Sequence, residues 1–122
     1  KDQYYYLFAS VGTCCEGVKS TYKLVVGRSK SLFGPYVDKD GKPMMQNGYT
    51  VVINSNERFV GNGHNSEIVQ DKKGNDWIFY HGVDRQNPKG RILLLDQLHW
   101  DKSGWPFIET GSPALVASKP NF

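Results

Sequence analysis

No stretch of the 122-residue sequence approaches the roughly 18 consecutive apolar residues that a membrane-spanning helix needs. The 15 lysines and arginines never form a run of four, and the net charge is only +3. Neither a membrane span nor the basic footprint of a nucleic-acid binder is therefore supported. No apolar leader opens the chain; Lys1-Asp2-Gln3-Tyr4 reads as a turn leading into a strand. Cysteine is scarce, and the two present, Cys14 and Cys15, are neighbours. A bridge between adjacent cysteines closes a strained ring, so no disulfide framework is expected. Helical patterning is missing as well: no window sustains an apolar period of about 3.6 residues over three turns.

What remains is a composition of 39% hydrophobic and 22% charged residues, which excludes a disordered or collagenous chain and fits one domain with one core. Short strand-like runs alternate with glycine, proline and aspartate turns. Tyr4–Ser10, Tyr22–Arg28, Tyr49–Ile53, Glu67–Gln70, Trp77–His81, Arg91–Asp96 and Pro106–Glu109 read as strands, and the fold class is all-β. The turns are marked by Gly34-Pro35, by Asp38-Lys39-Asp40-Gly41-Lys42-Pro43 and by Asp71-Lys72-Lys73-Gly74-Asn75.

Part of this pattern occurs twice. Tyr5-Tyr6-Leu7-Phe8 lines up with Trp77-Ile78-Phe79-Tyr80, and Leu24-Val25-Val26 with Ile92-Leu93-Leu94. Each pair of strands is followed by an aromatic–proline turn, Gly34-Pro35-Tyr36 and then Gly104-Trp105-Pro106-Phe107. Units of about 70 residues with this order suit four-stranded propeller blades; a plain β-sandwich is the competing architecture. As blades, the first unit lacks its innermost strand, and two blades do not close a ring. The expected organisation is the rest of one blade over about 1–56, the next blade over about 57–115, and a tail over 116–122.

Four spaced motifs carry a family resemblance. Cys14-Cys15-Glu16-Gly17-Val18-Lys19-Ser20-Thr21-Tyr22-Lys23-Leu24-Val25-Val26-Gly27-Arg28-Ser29 with Gly34-Pro35-Tyr36, Gly61-Asn62-Gly63-His64-Asn65-Ser66, Tyr80-His81-Gly82-Val83-Asp84, and Leu98-His99-Trp100-Asp101 with Gly104-Trp105-Pro106 closely resemble the endo-arabinanases of glycoside hydrolase family 43. The resemblance implies the last two to two-and-a-half blades of a five-bladed β-propeller, from a secreted or periplasmic enzyme. It also implies cleavage of α-1,5-linked L-arabinan with inversion. In the family the general base, the tuning aspartate and the general acid all precede the aromatic strand that here begins at Tyr4. The catalytic carboxylates are therefore expected before Lys1, and the chain alone is expected to be inactive. Glu16, Glu67 and Asp84 read instead as solvated, capping or hydrogen-bonded groups. The competing function is a non-catalytic carbohydrate-binding or self-assembling half-propeller fragment. The expected partners are arabinan or arabino-oligosaccharide, together with the missing N-terminal blades or a second copy of the chain.

Alternating strand direction places the loops Val11–Thr21, Asn56–Asn65 and Gly82–Gly90 on one face. Their polar residues and glycines suit a sugar cleft. Thr13, Cys14, Asn62, Asn65, Asp84 and Arg91 are the candidate substrate-binding residues. For Arg91, the resemblance implies contact with the sugar nearest the cleavage point, and guanidinium donors suit hydroxyls; a strand-end surface arginine is the alternative. His64, between Gly63 and Asn65, reads by itself as a histidine hydrogen-bonded in a tight loop. The resemblance implies instead that it points into the central channel and ligates a calcium ion, with water filling the other positions, since calcium takes six to eight oxygens.

Overall fold

The computed structural model describes residues 1–122. β1 (Tyr5–Val11), β2 (Lys23–Ser29) and β3 (Thr50–Ile53) form an antiparallel sheet in the order β1-β2-β3. The second sheet holds β4 (Phe59–Gly63), β6 (Asp76–Asp84), β7 (Ile92–Trp100) and β8 (Pro106–Phe107) in that order. β5 (Ile68–Gln70) also pairs with β6, beyond the end of β4. β4 and β5 are thus two halves of one inner strand, interrupted around His64. Each sheet is an up-and-down meander in which sequence neighbours pair, the order of a propeller blade rather than of a Greek-key sandwich. The first sheet has three strands where the second has four rungs, and the repeated segments occupy matching places: β1 corresponds to β6, and β2 to β7.

The alternation in β1 explains how the sheets meet. Tyr6, Phe8 and Ser10 pair with Arg28, Val26 and Leu24. Side chains two apart share a face, and this face looks toward the second sheet. There Leu24, Val26, Ile78, Tyr80, Leu98, Trp105 and Ile108 form one buried cluster, with Tyr6, Phe8, Leu94 and Trp100 packed against it. The opposite face of β1 carries Tyr5 and Leu7, which are 48% and 46% exposed. On the far side of the second sheet, Leu93 is 65% exposed. Each sheet therefore keeps an apolar outer face, partly covered on the second by Phe122, whose ring stacks on Phe79 at 6.1 Å.

Arg28 fastens the two sheets together. Its guanidinium lies 4.1 Å from the Tyr4 ring and 4.4 Å from the Trp105 ring. It donates to the Ser103 carbonyl at 2.5 Å, and the neighbouring Tyr6 hydroxyl donates to the Gly104 carbonyl at 2.5 Å. Replacing Arg28 with alanine removes two ring contacts and one charge-assisted bond, for an expected loss of about 1–3 kcal/mol. Lysine should restore only part of this, since it lacks the planar fork. Denaturant unfolding of the complete protein checks this; an Arg28→Lys variant as stable as wild type would contradict it.

Three local features differ from the sequence reading. Phe59–Gly63, expected as loop, is strand β4. β6 and β7 run to Asp84 and Trp100, longer than Trp77–His81 and Arg91–Asp96. Cys14 and Cys15 are joined as a vicinal disulfide, where none was expected. The backbone accommodates the bridge by placing Cys15 at φ 68, in the left-handed region.

Candidate functional site

The loop from Gly12 to Tyr22 is braced before it reaches the cleft. The backbone amides of Thr21 and Tyr22 both donate to the Thr13 carbonyl, at 3.1 and 3.0 Å, and the Thr13 amide donates to Thr21 Oγ1 at 2.8 Å. Glu16 donates its amide to Ser20 Oγ at 3.0 Å, and Gly17–Lys19 form a 3-10 turn. This hydrogen-bonded loop presents the Cys14–Cys15 bridge, with both residues exposed. Opposite it, the β6–β7 connection brings Pro88, Gly90 and Arg91. Tyr22, Gly61 and Val83 complete a cleft of about 210 Å³.

Two glycines let the inner strand come this close. Gly61 lies at φ 66, and a β-carbon there would sit 2.8 Å from Ser20 Cβ. At Gly63 a β-carbon would lie 2.8 Å from both Ser10 Oγ and the Tyr22 ring. Real β-carbons do not tolerate such contacts, so the Gly61-Asn62-Gly63 spacing is a packing requirement of the sheet junction. Just beyond, the His64 amide donates to Ser10 Oγ at 2.9 Å.

Of the sequence candidates, Cys14 and Arg91 are brought together in the cleft. Thr13 is exposed beside them, its hydroxyl 3.2 Å from Glu16 Oε2 and 3.1 Å from Thr21 Oγ1. Asn65 is half-buried, and its amide donates to the Ser66 carbonyl at 2.7 Å.

Two candidates must be corrected. Asn62 is fully buried, 0% exposed, and donates to the Asn54 carbonyl at 2.9 Å, so its side chain has no access to a ligand. Asp84 forms a two-pronged ion pair with Arg58, at 2.6 Å from Nε and 2.7 Å from Nη2, and also accepts the Gln86 amide. The Arg58 hydrogen bonds hold its carboxyl below the usual range. It is a turn anchor rather than a sugar ligand. The sequence reading did not single out Cys15, Tyr22 or Pro88 as site residues. The Cys14-Cys15 adjacency was the one signal for Cys15.

No carboxylate lines the cleft. The other buried carboxylates are committed elsewhere. Asp96 accepts the Tyr80 hydroxyl at 2.5 Å and the Ala114 amide, and burial pushes its carboxyl up. Asp71 is buried, which opposes ionisation, but hydrogen bonds from Asn75, Trp77 and Lys73 outweigh this and hold its carboxyl low. The arrangement can therefore bind and orient a ligand, but it holds no acid–base pair.

His64 stands apart from the cleft, exposed at φ 54 where the inner strand breaks. Its ring lies 5.4 Å from that of His81, whose Nδ1 is buried without a partner. No group of three acidic, histidine or cysteine side chains gathers anywhere in the chain. One accessible imidazole supplies a single ligand position, far short of a calcium cage. These residues fit only an ion that takes most of its ligands from elsewhere.

Residues 1–106 match the model of glycosyl hydrolases family 43. The chain is 47% identical to an extracellular exo-α-(1→5)-L-arabinofuranosidase of Cellvibrio japonicus, over 89% of this chain and 31% of the relative. It is 42% identical to an extracellular endo-α-(1→5)-L-arabinanase of Bacillus subtilis, over 84% of this chain and 30% of the relative. Among solved structures, it superimposes on a Cellvibrio cellulosa α-L-arabinanase in complex with arabinohexaose with a TM-score of 0.84 and 45% identity. That match covers 90% of this chain and 34% of that one. The chain thus spans about a third of the length of the relatives it matches. Its two meanders are a portion of a five-bladed β-propeller, and the chain belongs to glycosyl hydrolases family 43.

Proposed function

We propose that the protein containing this chain is a secreted hydrolase that cleaves α-1,5-linked L-arabinan with inversion. The observation that carries this reading is 42–47% identity, over most of the chain, to relatives named for α-(1→5)-arabinan cleavage. Inversion needs a general acid and a general base about 6.5–9.5 Å apart, with room for water between them. This chain offers no such pair at its cleft, and both groups are assigned to the part of the protein outside this chain, which spans about a third of its relatives' length. Its own part is to bind and position substrate. Arg91 donates to sugar hydroxyls, Cys14 and Thr13 border the same sugar, and Asn65 contributes from the channel side. The test is reducing-sugar release by the complete protein from debranched arabinan, against xylan as control. Release from xylan alone would reject the arabinan assignment.

His64 is assigned one ligand position on a channel ion of calcium type, with water completing the shell. Replacing His64 with alanine in the complete protein is expected to lower bound metal and to reduce arabinan turnover about tenfold or more, with the melting temperature little changed. Elemental analysis and turnover check it together. Unchanged metal content and unchanged turnover would make His64 structural.

The apolar outer faces at Tyr5, Leu7 and Leu93 fit neighbouring blades. Expressed by itself, the 122-residue chain is expected to cover them by self-association. Sedimentation should show dimers or larger species; a monodisperse, cooperatively melting monomer would count against this reading.

A further inference from the structure

We propose that the Cys14–Cys15 disulfide is a sugar-contacting wall of the cleft, an apolar shelf for one face of a pentose ring whose hydroxyls turn toward Arg91. The proposal rests on the carbohydrate reading above and deepens it.

The bridge is poorly explained as a stabilising staple. Stabilisation by a disulfide grows with the length of loop it closes, and here the sequence separation is one. Nor is it part of the core, since both cysteines are exposed. What it does is freeze a short stretch of surface whose flanks are already fixed by Thr13, Thr21 and Ser20. A surface frozen before binding costs little further ordering when a ligand arrives.

The chemistry of the walls is two-sided. Bridged sulfurs are polarisable and have no hydrogen to donate. Together with Val83 and Pro88 they make an apolar side, while Arg91 brings the cationic donor. A sugar ring has the matching character, with C–H groups on its face and hydroxyls at its edge. The volume of about 210 Å³, roughly that of seven waters, leaves room for one ring. Cys15 at φ 68 and Gly17 at φ 56 are both in the left-handed region, one on each side of Glu16.

The experiment uses the complete protein and arabino-oligosaccharides. In the Cys14→Ala/Cys15→Gly variant, glycine accepts the positive φ at position 15. KM is expected to rise about five- to tenfold, with kcat changed less than about twofold. A second arm treats wild type with a water-soluble phosphine, which reduces the bridge to two thiols as the phosphine is oxidised to its oxide, water supplying the oxygen and both thiol hydrogens. A mass gain of two hydrogens verifies the reduction, and KM should rise in the same direction. The reduction arm decides the matter if the variant does not fold. An unchanged KM in protein shown to lack the bridge, with wild type active on arabinan, overturns the sugar-wall assignment alone. Wild type that neither binds nor cleaves arabino-oligosaccharides overturns the functional reading and this inference with it.

Discussion

The 122-residue chain by itself is expected to release no reducing sugar from debranched arabinan, under conditions where the complete protein turns over freely. A positioned acid or base each contributes about 10²–10⁴-fold, so absence of both removes roughly four orders of magnitude or more. The carboxylates that remain cannot stand in. Asp84 is locked to Arg58, Asp96 accepts the Tyr80 hydroxyl, and Asp71 and Asp101 each accept amides of their own turns. Glu16 accepts the Thr13 hydroxyl beside the cleft, but it has no carboxylate partner lining that cleft. Turnover comparable to that of the complete protein, abolished by Glu16→Gln or Asp84→Asn, would place the chemistry in this chain and overturn the assignment.

The second large effect concerns the junction between the sheets. Ile78 is fully buried in β6, within the cluster that also holds Leu24, Val26 and Tyr80. Truncation to alanine deletes buried methylenes and leaves a void that strand backbones cannot readily close. The expected destabilisation of the complete protein is about 2–5 kcal/mol, against about 0.5–1.5 kcal/mol for Ile78→Val. Urea midpoints with unchanged slopes would read both values. Loss of under about 1 kcal/mol in the alanine variant would mean that the two sheets do not share this core.

The blade architecture was legible because strand alternation is local. Tyr6 and Phe8 fall on one face of β1 and Tyr5 and Leu7 on the other, and the same aromatic–aliphatic order returns in β6 and β7. β4 was not legible. Phe59-Val60-Gly61-Asn62-Gly63 has two glycines and a polar residue, a turn composition by propensity. Only the close approach of Ser10 in β1 and of Ser20 and Tyr22 in the β1–β2 loop shows why glycine stands there. The length of β7 was hidden for a similar reason: Asp96 and Gln97 look like a strand end, yet Asp96 is buried against the Tyr80 hydroxyl.

The site was legible in its loops and only partly in its residues. Cys14 and Arg91 do share the cleft. Asn62 and Asp84 have the polarity of sugar ligands, but their partners decide their role. Arg58 reaches Asp84 across the β4–β6 pairing, and Asn54 holds Asn62 from beneath. Such partnerships depend on tertiary register, which local composition does not encode. The disulfide was missed because ring strain argues against neighbouring cysteines in general, whereas here a left-handed Cys15 lets the two sulfurs meet.

Proton NMR of the first sugar released from debranched arabinan by the complete protein reads the stereochemistry of cleavage directly. Inversion at an α-linked arabinofuranosyl carbon yields a β-configured reducing end before mutarotation mixes the anomers. That β signal is the expected initial product, from a site whose binding half includes Arg91 and the Cys14–Cys15 shelf. An α-configured initial product, or no release from arabinan at all, would contradict it.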